Sequence, residues 1–290
     1  MSGDFLVHAR GVSKTYGTFQ ALKPSTFSIP AGRIVGIIGA NGAGKSTLLN
    51  SLLGLSAYDG ELTVLGLNPY TNRAQLMENV CFIADVATLP RWMTVKQVLD
   101  AVAGLHPKFD RAKAEARLAK TNVMLNSKVR TLSKGMVVQV HLAIVLAIDA
   151  KLLVLDEPTL GLDIINRRAF YDAILTDYFD ETRTILITTH QVDEIEQLLT
   201  HAMFIRKGEV IVDTSLDDVN ERYRAVDVSD AQRAAADALN PVYKRSVMGR
   251  STYVFDKAPA SALQQFGDSR RVGLADLFVA LMGAPEQTAA

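Results

Sequence analysis

The sequence predicts an α/β fold whose core is a parallel sheet covered on both faces, and two observations predict it. The first is an apolar run, Ile34-Val35-Gly36-Ile37-Ile38, that reads as a buried strand. It passes through a glycine-rich octet into Thr47-Leu48-Leu49-Asn50-Ser51-Leu52-Leu53, a helix stopped by Gly54. The second is a later alternation. Strand signals at Leu152-Leu153-Val154-Leu155 and Thr184-Ile185-Leu186-Ile187-Thr188 are followed by helical stretches near residues 166–179 and 191–199. Strands that alternate with helices pair in parallel, and the helices cover the sheet.

In chain order, residues 5–38 read as short strands joined by tight turns. They form an antiparallel β portion from which Pro30-Ala31-Gly32 turns into the first core strand. Tyr16 and Phe19 fall in a loop-like stretch. Strand signals recur at Glu61-Leu62-Thr63-Val64-Leu65-Gly66 and at Val80-Cys81-Phe82-Ile83, with a helical stretch between. Residues 94–148 are helical in texture, an insert between sheet elements. Thr94-Val95-Lys96-Gln97 is a capping-box pattern whose helix closes at His106-Pro107, and Asp110 can cap a second helix. Ser133 stands as N-cap of a third, apolar nearly all round and therefore buried. A hairpin of residues 202–206 and 209–212 about Lys207-Gly208 ends the core. The polar run from Thr214 to Arg224 marks a boundary between residues 1–215 and a small α/β appendix, residues 216–290, that carries no chemical motif.

A hydrophobic content of 48% over 290 residues, with a mean hydropathy of +0.12, allows a large domain plus a small one and excludes a disordered chain. The 31 basic and 31 acidic residues balance, which gives no electrostatic support for nucleic acid or a lipid surface as main partner. One cysteine, Cys81, allows no internal disulfide and fits a reducing compartment. The start, MSGDFLVHARG, lacks the apolar core of a signal peptide, and no stretch approaches about 18 uninterrupted apolar residues. A soluble, cytoplasmic protein is expected.

The octet Gly39-Ala40-Asn41-Gly42-Ala43-Gly44-Lys45-Ser46 has the spacing G-x-x-x-x-G-K-S, in the strand–loop–helix setting of a phosphate-binding loop. Glycines let the backbone aim successive N–H groups inward, and the helix start adds unpaired N–H groups and a positive dipole end. Lys45 is expected to reach the β- and γ-phosphates of a nucleoside triphosphate, and the Ser46 hydroxyl to ligate Mg²⁺. The strand 152–155 places Asp156 beside that loop, where it fits the acid that holds Mg²⁺. Glu157 is the candidate to orient and deprotonate an attacking water.

Together with Leu132-Ser133-Lys134-Gly135-Met136, Gly161-Leu162-Asp163 and His190, these residues resemble in order and spacing the ATPase subunits of ATP-binding cassette (ABC) transporters, across residues 5–215. The resemblance implies that family's P-loop NTPase cassette and ATP hydrolysis coupled to transmembrane transport. It implies that Gly39, Ala40, Asn41, Gly42, Ala43, Gly44, Lys45, Ser46 and Thr47 hold ATP, that Tyr16 stacks on adenine and that His190 contacts the γ-phosphate. It also implies a head-to-tail homodimer with two ATP at the interface. There Ser133 and Gly135 of a signature loop would cap ATP held by the other copy, and Asp163 would communicate between the two.

Two departures from the family pattern stand out. Asp85 occupies the position where the family places a Gln that touches Mg²⁺, and a carboxylate there can serve as a metal ligand. The signature loop, usually LSGGQ, carries Lys134 and Met136. A lysine in the first helical turn opposes the helix dipole, a cost that a facing triphosphate offsets. The LSKGM variant and the tail 273–281 resemble the ABC-2 type exporter branch, which includes drug and antimicrobial exporters. A separate integral-membrane permease is implied, docked near Leu89, Pro90, Arg91 and Trp92 and holding the subunit on the inner face of the membrane, with no nucleic acid and no direct lipid insertion. Import is the alternative within transport. Soluble action on ribosomes or DNA is the alternative outside it, and the lack of a tandem cassette, heptad run or basic excess counts against that.

Overall fold

The computed structural model describes residues 5–84, 89–247 and 250–283. Two strands open it, β1 (Phe5–Tyr16) and β2 (Phe19–Pro30), paired antiparallel with Tyr16 opposite Phe19 across a turn at Gly17. The expected short strands are therefore two of 12 residues each, and the loop-like stretch is the end of a hairpin. Register shifts hide that length in the sequence; one flanks Gly11, which sits in the left-handed region at φ 59° and breaks the apolar alternation. Next come β3 (Ile34–Ile38), α1 (Lys45–Leu52), β4 (Asp59–Val64), α2 (Arg73–Met77) and β5 (Val80–Ala84).

The insert holds α3 (Val95–Leu105), α4 (Arg111–Leu118) and α5 (Lys134–Leu146), each opened by the residue the sequence nominates. Thr94 and Gln97 form a reciprocal capping box, Asp110 accepts from the Lys113 N–H, and Ser133 from the Met136 N–H. The core continues as β6 (Leu152–Asp156), α6 (Ile164–Asp177), β7 (Thr184–Thr189), β8 (His201–Arg206) and β9 (Glu209–Ser215). The helix expected near 191–199 is instead two 3₁₀ turns, Val192–Glu194 and Glu196–Leu198. Val192, Ile195 and Leu198 recur every third residue, the period that a 3₁₀ turn brings onto one face.

Six strands make the central sheet in the order β5-β6-β7-β3-β8-β9, all parallel except β9. Their side chains alternate between two apolar clusters. Ile34, Ile38, Leu153, Leu155, Ile185 and Ile187 join the cluster of α3 to α6. Val35, Ile37, Leu152, Val154 and Leu186 join the other, with Leu48, Leu49 and Leu52 of α1 and the antiparallel sheet β2-β1-β4. Each such side chain contributes about 1.5–3 kcal/mol by leaving water, so a polar group in these strands is tolerated only with a partner.

The remaining elements are α7 (Leu216–Arg222), β10 (Tyr223–Val228), α8 (Arg233–Asp237), β11 (Tyr243–Val247), β12 (Arg250–Asp256), α9 (Ala260–Leu263), β13 (Arg270–Arg271) and α10 (Leu274–Gly283). They build an antiparallel sheet, β11-β12-β10-β13, over a small cluster of its own that includes Val226, Tyr253, Phe255 and Phe266. The other face of that sheet, with Tyr223, Ala225 and Val254, joins the large cluster, and helix α10 does the same. Its Leu274 and Leu277 belong to the large cluster, and Phe278 meets Phe204 edge-on with ring centroids 5.6 Å apart. The Leu274 N–H donates to Glu196 Oε1 (2.6 Å), and Arg206 Nη1 donates to the Leu281 carbonyl (2.6 Å). Among the described residues no helix is long and apolar enough to cross a membrane.

Candidate active site

The loop after β3 is shaped by backbone that only glycine fits. A Cβ on Gly39 would stand 2.6 Å from the Ile205 carbonyl oxygen, and one on Gly44, at φ 110°, 2.8 Å from that of Ala21. The Ala43 carbonyl accepts from the Gly208 N–H (2.8 Å), which anchors the loop to the β8–β9 hairpin. Gly44 caps α1 without a side chain, and the first turn holds no acid. The leading N–H groups of α1 are thus left for an anion from outside the helix. Lys45 is 7% exposed, and its Nζ donates to the Gly39 carbonyl (2.8 Å). A cavity of about 380 Å³ opens over the loop, lined by Tyr16, Phe19, Ala21, residues 41–47 and Glu157.

Two acids reach this loop from the end of β6, one strand removed in the sheet. Asp156 Oδ2 accepts from the Ser46 hydroxyl (3.4 Å), and its Oδ1 from the Thr188 hydroxyl (2.5 Å). A hydroxyl and one carboxylate oxygen facing each other are a donor set that Mg²⁺ accepts, since it takes one or two protein oxygens and completes its shell with phosphate and water. Glu157 stands 3.4 Å from Lys45 Nζ, and His190 Nδ1 lies 3.0 and 3.1 Å from its two carboxylate oxygens. Its backbone is left-handed at φ 47°, a conformation that costs about 1–3 kcal/mol for a residue with a side chain. The Glu157 N–H offsets part of that by donating to Thr188, both to its carbonyl (3.2 Å) and to its hydroxyl (3.1 Å).

Ser133, Gly135 and Asp163 form a second cluster and line no part of this cavity. Asp163 caps α6, accepting from the Asn166 backbone (2.9 Å) and side chain, and these bonds hold its carboxyl below the usual range. Gly135 packs against the same turn, where a Cβ would meet Asn166 Oδ1 at 2.8 Å. The Lys134 ammonium donates to the Gly161 carbonyl of its own chain (3.2 Å). Beside this cluster runs a groove of about 440 Å³ lined by Leu89, Arg91, Arg130, Leu132, Leu160 and Leu162, among others. Trp92 is 74% exposed. Asp85 lies outside the described residues.

Thr188 and Phe19 escape sequence reasoning. Phe19 enters the cavity only through its pairing with Tyr16. Thr188 carries a signal in retrospect, a polar residue following the apolar run Ile185-Leu186-Ile187, but its partner follows from the register that sets it beside Asp156.

A family model described as "ABC transporter" matches residues 22–160. The uncharacterized ABC transporter ATP-binding protein YdbJ of Bacillus subtilis is 30% identical, over 74% of this chain and 71% of its own. The Nod factor export ATP-binding protein I of Burkholderia orbicola is 31% identical, over 96% of this chain and 97% of its own. The counterpart in Sinorhizobium fredii is 30% identical, over 97% and 87%. Among solved structures, the ATP-binding subunit of an ABC transporter superposes with a TM-score of 0.65 at 25% identity, covering 74% of this chain and 92% of that one. A dimeric ATP-binding cassette bound to ADP and Pi gives 0.64 at 22% identity, over 72% and 98%, a likeness of fold.

Proposed function

This chain belongs to the ABC transporter family as an ATP-binding, ATP-hydrolysing subunit, and from that premise we propose that it drives export through a separate membrane permease. The length-wide similarity to two Nod factor export ATP-binding proteins supports export over import. A drug, an antimicrobial or an envelope-related compound fits the cargo class. In this reading the triphosphate lies along residues 39–47, and the adenine stacks on Tyr16 with Phe19 alongside. Ser46 and Asp156 hold Mg²⁺, which when bound neutralises charge on the phosphates. Glu157 orients the attacking water and takes its proton, and His190 steadies Glu157 and the γ-phosphate. Ser133 and Gly135 of a second copy close over the nucleotide, with Asp163 at the seam. The groove beside Leu89 and Arg91, with exposed Trp92, receives the permease. Residues 1–215 act as the cassette and 216–290 as an accessory domain.

One observation carries this reading: Lys45, Ser46, Asp156, Glu157 and His190 converge from three separate strand ends on one loop. Closure is tied to ATP because the γ-phosphate supplies contacts that the open state lacks. The test is Glu157→Gln in the full-length protein. It should still bind ATP, lose hydrolysis by roughly 10²–10⁴-fold and elute as a trapped dimer on size exclusion. Turnover equal to wild type would remove Glu157 from the role of base.

A further inference from the structure

We infer that Thr188 is a positioning residue that sets both acids of the site through a single hydroxyl. Its side chain is fully buried near the end of β7, a strand with an apolar centre, Ile185-Leu186-Ile187, and threonines at both ends. A threonine hydroxyl has one proton to donate and lone pairs to accept with. Here both capacities are used toward the site: the proton goes to Asp156 Oδ1 (2.5 Å), and a lone pair receives the Glu157 N–H (3.1 Å). The parallel register of β6 and β7 places Asp156 beside Thr188, so the contact is built by the sheet and not by a loop.

The two arms are unequal. If the hydroxyl is removed, the Glu157 N–H keeps the Thr188 carbonyl at 3.2 Å. Asp156 then keeps, among the described residues, only the longer contact from Ser46 at 3.4 Å. The donated proton also fixes which carboxylate oxygen is occupied. With Oδ1 engaged, Oδ2 is the oxygen turned to Ser46 and left for a cation. Thr188 therefore acts first on metal binding and second on the base.

This rests on Asp156 as the metal-holding acid, and the experiment separates the two statements. Full-length Thr188→Val, Thr188→Ser and Asp156→Asn are titrated with Mn²⁺ in the presence of ADP, with free Mn²⁺ followed by electron paramagnetic resonance. Mg²⁺ half-saturation of ATP hydrolysis is measured alongside. Thr188→Val should weaken Mn²⁺ binding and raise the Mg²⁺ requirement by roughly 10-fold or more, the effect typical of losing a group that orients a metal ligand. ADP affinity in chelator should stay unchanged. Thr188→Ser should restore both values, which a loss of packing would not do. Thr188→Ala should reproduce the defect, and it replaces the valine variant if that one fails to fold. Wild-type Mn²⁺ affinity in Thr188→Val overturns the inference while Asp156→Asn remains defective. Wild-type affinity in Asp156→Asn overturns the metal assignment itself.

Discussion

Two loop clusters in this chain carry the residues of the proposed reaction, and they are built differently. Around residues 39–47 the side chains reach each other across the sheet, with Lys45 on Glu157, Ser46 on Asp156 and His190 on Glu157. Around residues 133–136 and 160–166 they stay local: Ser133 and Asp163 cap the helices they precede, and Lys134 reaches no further than Gly161. The first cluster sets a glycine-shaped loop and an uncapped helix start beside two acids. The second offers a helix start whose hydroxyl, on Ser133, contacts only the backbone of its own helix among the described residues. In the proposed reading a second copy supplies the triphosphate that this cluster faces.

The largest test of that contrast is Lys45→Ala. Removing a desolvated charge partner typically costs about 3 kcal/mol, so ATP affinity in equilibrium dialysis should fall roughly 100-fold, with the monomer otherwise intact. Next in size is Ser133→Ala, which should lower turnover by roughly 10-fold and weaken ATP-induced dimers while ATP binding to the monomer stays at wild-type strength. Weaker nucleotide binding to monomeric Ser133→Ala would mean that the clusters are not separate in function. The smallest effect belongs to Tyr16→Ala. A half-exposed ring that stacks on a base contributes about 1 kcal/mol, so ATP should bind roughly fivefold less tightly, and Phe19→Ala should add to the loss.

What the sequence made legible was local. The strand into the phosphate loop, and the caps at Thr94, Asp110 and Ser133, each depend on neighbours within a few residues, and each stands where it was expected. The phosphate-loop pattern was legible from its own spacing, and the acids from the apolar strand they follow; His190 was nominated only by the family resemblance, and the structure sets its ring against Glu157. Features set by distant pairing were not. The length of β1 and β2 was masked by bulges, and the strand order of the C-terminal sheet depends on partners up to 47 residues apart, as with Arg224 and Arg271. The turn segment after His190 misled because spacing by three serves two kinds of helix. The contact of Lys134 with Gly161, on another loop, was likewise out of reach of the sequence.

Helix α10 shows that residues 274–283 extend the core. It covers Phe204 in β8, which is fully buried, and it draws its first hydrogen bond from Glu196, six residues past His190. A protein trimmed after Ser215 would open β8 to water on that flank and leave the Glu196 carboxylate without its amide. The polar run that reads as a seam in the sequence is therefore a poor place to cut, and the trimmed piece would be sticky and short-lived.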